Sequence, residues 1–351
     1  MRTSHKLTRL FFALSALVVL AASAFAGPAP TNIGVSDQKA GSFLAFPYYT
    51  SLGTSDTRLT ISNTGDRTVS VHMFFIGADC AQADQVICLT ANASASFLAS
   101  EYDPLNSGYL LAVAVAPDST SFFTSAVPGA TPPIASAPIP TGCPVQYNGL
   151  IGNAFVNDGN YVGNYGAEAF WQHTAPLAAD CNTNDWTAIL RFNGNCGVGG
   201  YDYQPNQFVA EIQSPNDSVG QRIISASLNG NVNTGALSGA NQSGIGVAYN
   251  DGEKPGSYAN PFGGSCLRSF IITPTVPRVP GGLGSIVGVN NNALIPSGRT
   301  GTLKWNTTGS VGLILTPRVG ANKWSGIRTL HKTGVALSNT LTIPIFQSSG
   351  C

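Results

Sequence analysis

The sequence predicts an all-β protein: antiparallel β-sandwich modules of Ig-like type, with long loops and little helix. Three observations carry that expectation. Apolar residues recur with period two in short runs, turn-forming residues cluster between the runs, and helical spacing is nearly absent. The 351-residue chain holds 40 glycines and 22 prolines, and it is 43% hydrophobic but only 10% charged. An average soluble protein is roughly 25% charged, and at 43% hydrophobic the chain is not disordered for want of core material. The 17 basic and 17 acidic side chains balance. That leaves no basic field to gather nucleic acid and no acidic tail.

Residues 1–26 read as an export signal. Arg2, His5, Lys6 and Arg9 form a positive start, residues 10–22 an apolar run, and Ala24-Phe25-Ala26 supplies small residues at the cleavage positions. The cut is expected after Ala26. The run is short for a membrane span. Removing it takes three of the 17 basic groups, leaving 14 against 17 acidic, a net charge of −3. The expected location is therefore extracytoplasmic (secreted, cell-surface or periplasmic), with no membrane span after signal removal.

Strand signals follow in order. Leu59 and Ile61, then Val69, Val71, Met73 and Phe75, alternate with polar or opposite-facing residues around the turn cluster Asn63-Thr64-Gly65-Asp66-Arg67. Residues 57–76 are expected to form a β-hairpin. Residues 88–90 and 94–99 predict further strands. Residues 109–116 form a continuous Leu/Val/Ala run, the pattern of a strand buried on both faces. Strands are expected again at 208–213, 222–228, 245–249, 267–273, 311–316 and 341–346, with a turn at 214–218. Only 166–172, containing Ala167, Glu168, Ala169, Phe170 and Trp171, looks helical. Residues 128–142 are Pro-rich and read as a long loop within one domain. The Gly-rich stretch near 195–207 marks a boundary. The expected layout is a signal peptide (1–26), an N-terminal β-sandwich (27–200) and a C-terminal β-sandwich (201–351). No fixed-period repeat is present, which lowers solenoid and propeller readings.

All seven cysteines lie after the signal, where oxidising conditions favour disulfides. There is no C-x-x-C and no C-x-x-C-H, so metal and haem readings are weak. The disulfide candidates are Cys80, Cys88, Cys181, Cys196, Cys266 and Cys351. Proximity in sequence favours Cys80–Cys88 and Cys181–Cys196, with Cys351 joined to Cys266 or Cys143. The odd thiol is expected to be buried and inert.

Several stretches carry a resemblance. Gly41-Ser42-Phe43-Leu44-Ala45-Phe46-Pro47-Tyr48-Tyr49-Thr50, Thr60-Ile61-Ser62-Asn63-Thr64, Cys88-Leu89-Thr90 and Gly142-Cys143-Pro144 are four of them. Others are Ile295-Pro296-Ser297-Gly298-Arg299-Thr300-Gly301, Leu330-His331-Lys332 and the closing Leu341-Thr342-Ile343-Pro344-Ile345-Phe346 before a terminal Cys. Together they resemble a group of exported bacterial β-rich proteins. The resemblance implies an extracytoplasmic β protein and carries no catalytic residues with it.

Motifs with a defined mechanism are missing or broken. There is no G-x-S-x-G, no H-E-x-x-H and no phosphate-cradling G-x-x-x-x-G-K-[ST]. Gly282, Gly284 and Gly288 are spaced one residue too wide for a dinucleotide turn. Asp180, Asn182, Asn184 and Asp185 imitate the start of a calcium loop, but Asp185 stands where glycine is needed and Arg191 where glutamate is needed. A glycosidase needs two carboxyls roughly 5–9.5 Å apart across a cleft. Glu101, Glu168, Glu211 and Glu253 are the only glutamates, in no recognisable pairing, and Glu211 is expected on the solvent face of its strand. Trp171, Trp186, Trp305 and Trp324, with Tyr48 and Tyr49, are expected in core or edge packing rather than in a sugar-stacking row. His331 is expected to be a polar strand or turn residue.

The expectation is a secreted or cell-surface, non-enzymatic structural or adhesion-type protein without catalytic, cofactor or metal residues. Its partners would be itself, other surface proteins or glycans, because uncharged β surfaces associate without electrostatic penalty. The alternative is an extracellular ligand- or glycan-binding module, and after that a secreted hydrolase.

Overall fold

The computed structural model describes residues 34–346, apart from 118–139, 160, 175–179, 195–199, 216, 218–219, 238–244, 260–265, 275, 277–290 and 319–324. Residues 1–26, where the export signal is expected, the Gly-rich segment 281–288, Trp324, Cys196, Cys351 and all but the last three residues of 128–142 therefore lie outside the described residues.

The protein is all-β and sandwich-like, with five sheets. Sheet 1 runs β4 (Gln82–Leu89), β3 (Val69–Gly77), β6 (Ser107–Val115), β1 (Phe43–Thr50) and β9 (Glu168–Phe170). Sheet 2 runs β5 (Ser94–Leu98), β2 (Asp56–Asn63), β7 (Leu150–Asp158) and β8 (Tyr161–Gly166). Sheet 3 runs β18 (Leu267–Ile271), β13 (Arg222–Ser227), β20 (Ser310–Thr316) and β21 (Gly326–Thr329). Sheet 4 runs β17 (Pro255–Ala259), β16 (Ile245–Asn250), β19 (Thr300–Asn306), β12 (Gln204–Gln213) and β22 (His331–Leu337). Sheet 5 runs β10 (Cys181–Asn182), β11 (Thr187–Phe192), β23 (Asn339–Pro344), β14 (Gly230–Asn231) and β15 (Ala236–Leu237).

Sheet 1 is central. Its β1, β3 and β6 are buried almost without interruption. One face carries Leu44, Met73 and Ala112, then Phe46, Phe75 and Leu110, and meets sheet 2, where Phe75 lies 6.3 Å from Phe97 of β5. The other face carries Phe43 and His72. There Phe43 stands edge-on to Phe192 of β11 at 5.5 Å, and His72 to Phe346 at 5.0 Å. Gly152 of β7 must be glycine for this packing, because a Cβ there would lie 2.4 Å from Phe46 Cζ. Sheet 3 is likewise buried on both faces. Ile223, Phe270 and Ile314 join Phe208, Leu303 and Trp305 of sheet 4 in a second core cluster, while Ile224, Leu313 and Leu315 belong to the cluster around sheet 1.

Packing continues across residue 200. Strand β11 pairs along its length with β23, from Thr187↔Pro344 to Phe192↔Asn339. Residues from Ile33 to Cys351 form one compact unit. The second core cluster, by contrast, is drawn wholly from residues 208–330.

The structure corrects three expectations. First, residues 57–76 are two strands but not a hairpin: β2 pairs with β5 and β7, and β3 with β4 and β6. The link arches from one sheet to the other because Asn63, itself buried, donates its amide to the carbonyls of Arg67, Leu89 and Thr90. Second, 166–172 is not helical. Glu168–Phe170 pairs with Ala45, Leu44 and Phe43, so tertiary pairing overrides the helical propensity of the alanines and glutamate. The helices described are single turns at Ala99–Tyr102 and Asn291–Leu294.

Third, the disulfides join distant partners. Cys80 pairs with Cys266 and Cys143 with Cys181, at Cα separations of 5.3 and 5.8 Å. Cys80–Cys88 is geometrically excluded. Cys80 sits in the turn before β4, and Cys88 lies near the far end of that strand. At about 3.3 Å per residue the two are roughly 20 Å apart, beyond the reach of a bridge. Cys88 is nonetheless disulfide-bonded. Cys181–Cys196 is excluded because Cys181 is taken by Cys143, and the expected bridge from Cys351 to Cys266 or Cys143 is excluded because both of those partners are already bonded.

Candidate functional site

Strand β21 separates two open grooves, and its Ile327 and Arg328 line both. The first, about 640 Å³, lies between the ends of sheets 3 and 4. Its polar walls are prepared by their neighbours. The Gln221 carboxamide accepts from the Gln213 peptide N–H at 2.8 Å and donates to Thr316 Oγ1 at 3.1 Å. Asn250 donates to the Leu294 carbonyl at 3.1 Å. Arg328 reaches across from β21 and donates to Glu211 Oε2 at 2.9 Å and to the Glu211 carbonyl at 3.2 Å. These hydrogen bonds, more than charge alone, hold the Glu211 carboxyl below the usual range. At the rim, Arg299 donates to Asp251 at 2.5 Å and lowers that carboxyl in the same way.

The second groove, about 700 Å³, runs along the edge of sheet 2 and includes Asp37, Lys39, Thr60, Asn153, Asn164 and Thr329. Asp37 accepts from the Thr329 hydroxyl at 3.2 Å. Beside it the chain is locked by Asp202, which is nearly enclosed. Asp202 accepts from Lys39 Nζ at 2.5 Å and from the Trp171 peptide at 2.6 Å, and lies 2.8 Å from His173 Nε2.

The glutamates singled out in the sequence go to different places. Glu211 is on the solvent face of β12, as its alternation implies. Glu101 closes a one-turn helix by accepting from the Leu98 peptide at 3.0 Å. Glu253 sits in an exposed turn with φ of 60°. Glu168 is fully buried, with Oε1 2.5 Å from Lys332 Nζ. Burial pushes its carboxyl up, the Lys332 charge opposes that, and Asp37 adds to it. Lys332 was not legible as a partner: 164 residues separate the two, and nothing in the pattern of β22 sets this lysine apart.

The other marked residues have structural partners. Asp180 accepts two hydrogen bonds from Arg191, at 2.9 and 2.7 Å. Asn182 accepts from the Asn184 peptide and Asp185 from Thr187, so the calcium-loop imitation is a clasped turn. Tyr48 and Tyr49 are buried in the core. Tyr48 donates to Asp158 at 2.7 Å beneath the Arg222 guanidinium, and burial pushes its phenol up to about 12. Trp305 packs on Phe208 in the second cluster, while Trp186 is partly exposed in the turn before β11. His331 is exposed on β22. Among the described residues, no group of three or more His, Cys, Asp or Glu side chains is placed to hold a metal ion. No helix among them is long and apolar enough to cross a membrane.

Sheet 2 presents the most distinctive surface. Its outward rows are Thr60 and Ser62 on β2, Ser94 and Ser96 on β5, Asn153 and Asn157 on β7, and Asn164 on β8, joined by hydroxyl bonds such as Ser62–Ser94 at 2.7 Å. Among them stand the exposed Ile151, Phe155 and Val162, with Phe155 58% exposed. Asp56 and Arg58 interrupt these uncharged rows on β2, and Asp37, Lys39 and Arg328 border them across the second groove.

Fold and surface together define a disulfide-bonded all-β sandwich protein. No family model and no curated protein matches the chain. Among solved structures, it is similar to a crystal structure titled Thermotoga maritima 1070, at 13% identity and a TM-score of 0.25 over 38% of this chain and 97% of that one. A likeness at that level carries no argument about function.

Proposed function

We propose that the protein is an exported, non-enzymatic surface protein of adhesion type that associates with further copies of itself through the open face of sheet 2. The observation that carries this reading is the array of Ser, Thr and Asn rows around exposed Phe155, Ile151 and Val162. Such a face loses apolar exposure on contact and meets little electrostatic repulsion. The leader ending near Ala26 and the disulfides support an oxidising compartment outside the cytoplasm. Sedimentation of the purified mature protein tests it. Concentration-dependent association should appear in the native protein and be lost in Phe155→Asp, and a monomer at every concentration would defeat the reading.

The polar grooves beside β21 favour a second reading, a binding module for neutral glycans. Amide and hydroxyl groups held in place by neighbours suit sugar hydroxyls. Titration with soluble oligosaccharides such as cellohexaose separates the two, since only this reading expects heat of binding.

A further inference from the structure

We propose that Glu168 and Lys332 become joined by an intramolecular amide bond, formed by the folded protein itself between the Glu168 side-chain carboxyl carbon and Lys332 Nζ. This goes beyond the surface-association reading and does not depend on it.

The geometry is that of a reactive pair more than of an ordinary ion pair. Among the described ion pairs this one is the most enclosed, with side chains 0% and 13% exposed, whereas Glu211 and Arg328 are 63% and 45% exposed. Nζ stands 2.5 Å from Oε1, and no donor other than Lys332 reaches either Glu168 oxygen. A buried carboxylate kept as a structural anion is normally surrounded by donors, because its desolvation is otherwise uncompensated. Here burial raises the carboxyl toward the neutral acid and outweighs the opposing charge and hydrogen bond of Lys332, with Asp37 adding a smaller push in the same direction.

The chemistry follows from that. Nζ passes one proton to Oε1 across the contact, leaving a neutral amine beside a neutral carboxylic acid. The amine lone pair then forms the C–N bond at the carboxyl carbon. The second Nζ proton goes to the departing hydroxyl, the C–OH bond breaks, and one water leaves. No oxidant, cofactor or leaving group from outside is consumed. Fixing the two groups in contact supplies an effective concentration on the order of 10⁵ M or more, which is what a condensation in water lacks.

The bond would have a mechanical consequence. Glu168 belongs to β9, the edge of sheet 1, and Lys332 to β22, the edge of sheet 4. An amide there would tie the strands beside the two core clusters covalently, a link the Cys80–Cys266 bridge does not make because both its cysteines belong to the first cluster.

The test is the intact mass of the purified, folded protein after reduction and denaturation, with its N-terminus read independently. The expected mass is lower than the sequence requires by one water. Trypsin should fail to cut after Lys332, and the digest should contain a branched peptide joining Glu168 to Lys332. Glu168→Ala and Lys332→Ala should each restore the full sequence mass. If either variant fails to fold, the wild-type mass and branched peptide still decide. A wild-type chain at full sequence mass with normal cleavage after Lys332 overturns the proposal, and so does a loss of water without the branched peptide.

Discussion

Sheets 1 and 2 are woven from alternating stretches of the same part of the chain, yet their strands have opposite characters. Strand β3 of sheet 1 is buried at every one of its 9 positions. Strand β7 of sheet 2, also 9 residues long, buries Leu150, Ala154 and Val156 while Ile151, Asn153, Phe155 and Asn157 face outward. The difference teaches how many faces each sheet covers. Sheet 1 has sheet 2 on one side and sheets 3 and 5 on the other, so both its side-chain rows are apolar or paired. Sheet 2 has one covered face, and the free face carries the Ser/Thr/Asn rows.

Three substitutions test that comparison. The largest effect is expected at Phe46, between sheets 1 and 2. Phe46→Ala should cost about 3–5 kcal/mol of unfolding free energy in urea titration, because Gly152, which faces the ring, has no side chain to fill the space. A loss near zero would mean that sheet 1 is not packed on both faces. An intermediate effect is expected at the arch. Asn63→Ala removes donors to three backbone carbonyls and an acceptor for the Tyr147 hydroxyl, leaving buried polar groups unmatched. It should cost about 1–3 kcal/mol, read as a lowered thermal midpoint. The smallest effect belongs to the open face. Phe155→Asp should change stability by no more than about 0.5 kcal/mol. Its expected effect on association then reports the surface and not the fold.

Much of the strand content was legible because period two survives wherever one face is solvated: β2, β12 and β19 all show it. The run at 109–116 was legible for the opposite reason, being apolar throughout. Strand β1 was hidden by Pro47, which a register shift between Phe46 and Tyr49 accommodates. Strand β12 starts earlier than its pattern implies, at Gln204, and absorbs Pro205 in a similar shift. Glu211 could be placed from alternation alone. Glu168 could not, because its surroundings are made by Lys332, 164 residues away.

By itself, the sequence determined the all-β class, the approximate strands and the abundance of cysteine in a weakly charged chain, since these depend on local periodicity and composition. Pairing was decided only by the tertiary structure. The turn cluster at 63–67 specifies a change of direction, but whether the next strand pairs with the last or enters another sheet depends on where Asn63 finds its carbonyl partners. The same holds for the bridges, because cysteines join across space and proximity along an extended strand counts against them. It also holds for Glu168, whose burial against a lysine exists only once sheets 1 and 4 are brought together.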